Sequence, residues 1–434
     1  MNKPESVSRI ILPGERSGSV RIPSSKSAAH RILICAALGD RPVTVQLDGL
    51  SQDILATAEC LRALGAGIEQ DDRELRVQPL DRDADPKEAV LPAGESGSTL
   101  RFLLPLVGAL GRNAVFEMEG RLSRRPLAPL DAVLREHGMH IEQDGNRLFC
   151  SGQLRGGDYT LTGDVSSQYF SGLLMTLPLL EDSSTLSVLG RLESADYVRI
   201  TEQVLELFGV ALKTQPGPRW NIPGGQRPQL PETVQVEGDW SSAAFFLCMG
   251  ALSEMGIRVE GLRCDSAHGD RAILDYLRDF GAEVIICSED ESRGRTDSVT
   301  VRQGDCRPLR IDASGVPDLV PVLAVLCCAA DGWSEITNAS RLRLKESDRL
   351  QTTAELIRNL GGTVLEHPDG LTVCGTGMLA GGTANAHNDH RIAMSAAAAA
   401  CLCARPVELA DAGCVRKSYP AFWTDYERLG RRTA

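Results

Sequence analysis

Apolar and polar positions along the chain fall into two recurring patterns. In the first, an apolar residue four places before a glycine is joined by another just before it, and a strand-like run follows: CLRALGAGIE, VLREHGMHIE, VLELFGVALK, YLRDFGAEVI, LIRNLGGTVL and YERLGRRTA. The paired positions (Leu61, Leu134, Leu205, Leu277, Ile357, Tyr426, each with its neighbour three on) share one face of a helix, except that the second copy carries His137 at the later place. The glycines Gly65, Gly138, Gly209, Gly281, Gly361 and Gly430 stand 69 to 80 residues apart by subtraction of their numbers. They are read as left-handed C-caps, and the period is about one sixth of the chain.

The second pattern precedes the first in every copy: a small polar cluster opens a helix that is apolar almost all round. It reads SSKSAAHRILICAAL, ESGSTLRFLLPLVGAL, SSQYFSGLLMTLPLL, DWSSAAFFLCMGAL, PDLVPVLAVLCCAA and NDHRIAMSAAAAACL. Helices without a polar face are buried, and their Ser, Asp or Asn openings are N-caps. Each repeat is therefore strand, buried helix, strand, more exposed helix, strand. Six helix N-termini with orphan N–H groups are suited to an anionic site. The spacing leaves open one closed ring of six or two clusters of three.

Composition narrows the function. The 434 residues include 58 Asp and Glu against 46 Lys and Arg, a net charge of −12, which argues against nonspecific nucleic-acid binding. Aromatics at 4% leave little surface for stacking bases. The 13 cysteines are odd in number, scattered from Cys35 to Cys414 and never spaced CxxC, so they are read as free thiols of a reducing, cytoplasmic compartment. His387 with His390, His137 with His140, and the close pairs Cys327, Cys328 and Cys401, Cys403 lack zinc-site spacing and are read as structural. The N-terminus lacks an apolar signal core, and the apolar run around Ala393 to Ala404 is well short of the ~20 residues of a membrane span.

Within this acidic chain, cations gather at the helix openings and adjoining loops: Lys26, Arg31, Arg101, Arg124, Arg125, Lys345, Arg349, Arg391, Arg416 and Lys417. Brought together, they would form a positive pocket for a small, multiply charged anion, with arginine forks on phosphate or carboxylate and lysines as point charges. Asp318, at the start of the fifth buried helix, and Glu346, in RLKESDRL, stand among them. Each has an ordinary reading, as a cap or an i, i+3 helix pair; beside a bound anion the two divide acid and base roles. With no GxxxxGK[ST], GxGxxG or GxSxG motif, the residues lead to transfer or lyase chemistry on small anions without nucleotide, cofactor or metal.

At PSSKSAAHR, SGSTLR, RRPL, VSSQY, RLKESDRL, NDHRIAM and RKSYP the chain resembles the 5-enolpyruvylshikimate-3-phosphate synthase family, the 3-phosphoshikimate 1-carboxyvinyltransferases, in order through all six repeats. The resemblance implies an α/β fold of two domains, each three βαβαββ units around buried parallel helices. Residues 25–238 would form the continuous domain, residues 1–24 and 239–434 the discontinuous one, with the active site in the cleft between them. It implies a monomer with no cofactor that transfers the enolpyruvyl group of phosphoenolpyruvate to the 5-hydroxyl of shikimate 3-phosphate, on the way to chorismate.

By matching position, Lys26, Ser27 and Arg31 would hold shikimate 3-phosphate, with Lys26 also reaching phosphoenolpyruvate. Ser166, Ser167 and Ser194 would bind the 3-phosphate, and Gln168 would lie between both substrates. Gly97, Arg125, Arg349, Arg391 and Lys417 would grip phosphoenolpyruvate, while Asp318 and Lys345 would contact the ring hydroxyls. Glu346 is expected to be the general acid, Asp318 the base, and Lys26 the third catalytic group. Glu95 and Arg341 depart from the commonest pattern, and Gly97 stands where members tolerant of the herbicide glyphosate often carry Ala. Two multiply charged anions desolvated side by side also imply domain closure on binding.

Overall fold

A computed structural model describes residues 7–71, 73–81, 88–229, 231–288 and 296–432. The outermost residues of the expected discontinuous domain, 1–6 and 433–434, lie outside them. The chain divides into two compact units: Ser24–Val236, and Met1–Pro23 joined with Glu237–Ala434.

In chain order the elements are β1 (Arg9–Ile11), β2 (Glu15–Arg21), α1 (Lys26–Ala37), β3 (Val43–Gln46), α2 (Gln52–Ala63), β4 (Gly67–Gln70) and β5 (Glu74–Gln78). Next come β6 (Ala89–Gly94), α3 (Gly97–Ala109), β7 (Ala114–Met118), α4 (Leu130–Glu136), β8 (His140–Asp144) and β9 (Arg147–Ser151). The third group is β10 (Asp158–Thr162), α5 (Ser167–Thr176), β11 (Ser184–Leu189), α6 (Ala195–Leu207), β12 (Lys213–Gln215), β13 (Arg219–Ile222) and β14 (Thr233–Gln235). The fourth is α7 (Trp240–Ala251), β15 (Ile257–Leu262), α8 (Ile273–Phe280), β16 (Glu283–Ser288) and β17 (Asp297–Arg302). The fifth is β18 (Arg310–Asp312), α9 (Val320–Cys327), β19 (Asp331–Thr337), α10 (Arg349–Asn359), β20 (Thr363–His367) and β21 (Gly370–Thr376). The chain closes with β22 (Gly382–Asn385), α11 (His390–Ala399), β23 (Val407–Ala410), α12 (Phe422–Arg428) and β24 (Gly430–Arg432).

Among the described residues these strands make six small sheets, each containing one parallel pair, and in four of them that pair is bridged by a buried helix. The parallel pairs are β6 with β7, β10 with β11, β18 with β19 and β22 with β23, as expected for strand–helix–strand crossovers. Two pairs are made by distant segments: β14 completes the sheet of β3, and β2 completes that of β15. The period-derived repeat of three strands is corrected here, because five copies end in an antiparallel hairpin of two strands. The unit is βαβαββ. In the sixth copy β1 pairs antiparallel with β23 in the hairpin's place, and β24 instead joins β2.

The helices opened by polar clusters are the buried ones. Every residue of α7, α9 and α11 is buried, as are most of α1, α3 and α5. Ser25, Ser96, Ser166, Asp239 and Asp389 accept backbone N–H bonds as N-caps, so the first turn is satisfied by short side chains. Five of the six repeat glycines have positive φ, from 70° at Gly209 to 110° at Gly138. Gly430 departs from the expectation: it is the first residue of β24, where the chain runs straight into a strand and needs no reversal. His137, the one polar residue at its repeat position, stacks on Tyr159 with centroids 3.7 Å apart.

One local device fixes the spacing of α3 and α5. Pro105 lies inside α3 and has no N–H to give to the carbonyl four residues back, that of Arg101. Gly172 of α5 packs there, and a Cβ on it would fall 2.5 Å from that oxygen. Glycine is thus required for the close approach of the two helices that open with Gly97 and Ser167. No helix among the described residues is long and apolar enough to cross a membrane.

Candidate active site

In the Ser24–Val236 unit, the predicted residues sit at the openings of α1, α3 and α5 and in the loops beside them. Lys26, the first residue of α1, forms an ion pair of 2.8 Å with Asp53 at the start of α2. Arg31, one turn further on, is 2% exposed. It donates to Thr201 Oγ1 (2.6 Å), the Ser27 carbonyl (2.6 Å), Ser171 Oγ (3.0 Å) and the Tyr197 carbonyl (3.0 Å). Those four bonds leave one of its five donors for a ligand. All its acceptors are uncharged, and burial pulls its pKa down to about 9. A guanidinium this deep without a carboxylate favours an arriving anion. Beneath it, burial, Lys26 and Arg31 hold the His30 ring well below its usual pKa, and its Nδ1 lies 2.7 Å from Thr57 Oγ1.

Gln168 joins α5 to α3. Its Oε1 accepts from Arg101 (2.9 Å) and its Nε2 donates to Ser98 Oγ (2.9 Å), so both amide groups are fixed. Arg125 lies over Gly97: a Cβ there would come within 2.7 Å of Arg125 Nη1 and 2.6 Å of Arg101 Nη1. Ser166 caps α5, whereas Ser194 precedes α6 with φ 53° in the left-handed region. A serine held in that conformation stores strain of order 1–3 kcal/mol, a cost that clusters at ligand sites.

The second cluster lies in the other unit, around the openings of α9, α10 and α11. Asp318 does not cap α9, as its place two residues before Val320 suggested. Its side chain turns instead to Arg349 Nη1 (2.7 Å), Arg391 Nη2 (2.9 Å) and Lys345 Nζ (3.7 Å). Burial pushes its pKa up, but Arg391, Lys345 and Arg349 outweigh that and hold it well below the carboxylate range. Arg349 is 1% exposed and also bonds Glu346 (2.6 Å) and Asp389 (2.8 Å from Nε). One guanidinium therefore spans the expected base and the expected acid. Burial lowers the pKa of Lys345 to about 8, against the pull of Asp318.

Lys417 is placed by strained backbone. Its Nζ donates to the Asn388 carbonyl (2.7 Å), His387 and Asn388 have φ of 51° and 56°, and Asp411, at φ 61°, accepts from the Asn388 N–H (2.6 Å). Arg341 donates to the Ser314 carbonyl (2.9 Å), which ties it to the loop before α9. Arg124 and Arg416 are exposed, so of each adjacent basic pair only Arg125 and Lys417 turn inward. Sequence reading did not single out Asp53 and Asp389, which anchor Lys26 and Arg349. Their signal lies in SQD and NDHR, where each carboxylate stands at a helix opening.

The comparisons with known proteins agree with one another. A family model described as EPSP synthase (3-phosphoshikimate 1-carboxyvinyltransferase) matches residues 12–426. The chain is 39% identical over 422 residues to a 3-phosphoshikimate 1-carboxyvinyltransferase of Clostridium kluyveri, covering 97% of this chain and 96% of that one. It is 38% identical to the protein of the same name from Clostridium perfringens, covering 97% and 98%. Among solved structures, EPSP synthase from Acinetobacter baumannii superposes with a TM-score of 0.81 at 26% identity, covering 97% and 98%. The enolpyruvyl transferase NikO from Streptomyces tendae shares the fold, with a TM-score of 0.73 at 20% identity and 99% and 98% coverage.

Proposed function

The chain belongs to the EPSP synthase family, which transfers the enolpyruvyl group of phosphoenolpyruvate to shikimate 3-phosphate in aromatic amino acid biosynthesis, and on that premise we propose how its residues divide the reaction. The reading takes the two units as the two domains, and both clusters as serving one pair of substrates. Lys26, Ser27, Arg31, Ser166, Ser167 and Ser194 hold shikimate 3-phosphate. Gln168, fixed on both sides of its amide, separates the substrates. Gly97, Arg125, Arg349, Arg391 and Lys417 receive phosphoenolpyruvate, whose phosphate and carboxylate suit arginine forks. Lys345 and Asp318 meet the ring hydroxyls.

The observation that carries the mechanism is the single guanidinium of Arg349 between Asp318 and Glu346. An incoming carboxylate or phosphate competes for its Nη groups and for Arg391, and so loosens both carboxylates at the moment they are needed. Asp318, relieved of part of its cationic field, gains basicity and takes the proton of the 5-hydroxyl. Glu346, released from its ion pair, takes up a proton and delivers it to the methylene carbon of phosphoenolpyruvate. The hydroxyl oxygen bonds to the adjacent carbon, giving a tetrahedral adduct. Glu346 then takes a proton back from the new methyl group, the double bond re-forms and phosphate departs with the proton that Asp318 had taken, its remaining charge met by Lys26, Arg125 and Arg391. The 13 free cysteines support a reducing cytoplasmic setting. Phosphate release from phosphoenolpyruvate in metal-free buffer tests the whole reading: it is expected only with shikimate 3-phosphate present, and its absence despite binding of that substrate would overturn it.

A further inference from the structure

A second cationic pocket, sharing no residue with the sites assigned above, lies where β1, β2, β24 and α12 meet. It encloses about 190 Å³ and presents Arg9, Arg16 and Arg431 against one carboxylate, Glu427. Ile10, Leu12 and Tyr426 supply its apolar wall. Arg16 is 7% exposed, its guanidinium 4.3 Å over the Tyr426 ring and 3.4 Å from the Leu12 carbonyl. Its Nε is buried without an acceptor, and among the described residues no carboxylate lies within ion-pair distance of it. A buried cation so placed is costly unless an anion arrives.

The strand register makes the same demand independently. Arg16 of β2 stands directly opposite Arg431 of β24, so both side chains share one face. Like charges in that position destabilise a sheet. Arg9 pairs with Glu427 and lies 4.7 Å over Trp423, so the one carboxylate present is already engaged at the rim. A volume of 190 Å³ is about six times the share of one water in the liquid. That admits a phosphate ion or a small carboxylate with a short apolar body.

We propose that this pocket is a binding site for a small oxyanion, a carboxylate or phosphate group seated between Arg16 and Arg431 with its apolar part against Tyr426. Calorimetric titration of the full chain with inorganic phosphate, and separately with benzoate, tests it. The wild type is expected to take up one more equivalent of at least one probe than Arg431→Gln does, while kcat/KM for both substrates stays within twofold. Arg431→Lys is expected to restore the uptake with weaker affinity. Uptake of phosphate alone assigns the site to a phosphate group, and uptake of benzoate to a carboxylate. Equal stoichiometry and affinity in wild type and Arg431→Gln for both probes would overturn the proposal. Arg431 is exposed, so the variant's melting temperature serves as the control for folding.

Discussion

Gly97→Ala separates the fold from the site. The position is the first residue of α3, and its φ is not among the positive values, so alanine meets no backbone strain and gains about 0.5–1 kcal/mol of helix preference. The added Cβ, however, would stand 2.6 Å from Arg101 Nη1 and 2.7 Å from Arg125 Nη1. Both are the far ends of flexible side chains, so they give way by about 0.7 Å while the backbone stays. A hydrogen bond to a charged group contributes about 1.5–3 kcal/mol, and moving its donor that far forfeits about half of it. The KM for phosphoenolpyruvate is therefore expected to rise about 3- to 12-fold, with kcat within a few-fold and the KM for shikimate 3-phosphate within twofold. Steady-state kinetics on each substrate, beside a thermal melt, reads all of these. Glyphosate is expected to compete with phosphoenolpyruvate in the wild type, and its inhibition constant to rise in the variant. An unchanged KM for phosphoenolpyruvate would refute the placement of Arg125, and a melt lowered by more than ~5 °C would show that backbone moved instead.

Three further outcomes follow from the second cluster. Asp318→Asn keeps the size but removes the proton acceptor, so kcat should fall by about 10²- to 10⁴-fold while calorimetry finds shikimate 3-phosphate binding within tenfold of wild type. Asp389→Ala removes the cap of α11 and leaves Arg349 buried with less compensation, a loss of about 3–5 kcal/mol that a denaturant melt should register whether or not substrate is present. Lys345, lowered to about 8, is charged below that pH and neutral above it. Affinity for the anionic substrates, and kcat/KM for shikimate 3-phosphate, should therefore decline as pH rises through about 8, and Lys345→Arg, which stays charged, should remove that alkaline limb.

The reading of buried helices, their caps and five glycine turns followed from local rules, because a cap or a C-terminal glycine acts within four residues of itself. Glu346 and Arg349 were legible for the same reason that they were ambiguous: two charges in one short motif fit a helix pair as well as an active site, just as Asp318 at a helix opening fits a cap as well as a base. What escaped lies at long range. Asp53 under Lys26, Asp389 under Arg349 and three of the four acceptors around Arg31 come from other elements, and no spacing along the chain encodes them. The hairpin closing five of the repeats, implied by the resemblance, was missed by the periodicity because its second strand lies beyond the strand-like run that follows the glycine. Ser194 was expected as a ligand by resemblance, but its left-handed backbone carries no signature that a serine in a loop would advertise.

The strand exchange at the two ends of the unit Ser24–Val236 bears on how the chain is made. That unit closes on itself when β14 joins β3, so by the time residue 236 has left the ribosome all of its partners exist. β1 and β2 emerge first, yet their mates β23 and β15 are synthesised last or after residue 256. During translation the earliest strands must wait with open edges while a complete neighbour forms behind them, and such edges invite pairing with another chain. The short length of β1 and the arginines that stud it and β2 are features that discourage that pairing. A nascent chain halted once residue 236 has cleared the ribosome should therefore protect residues 24–236 from protease and leave the first twenty open to it.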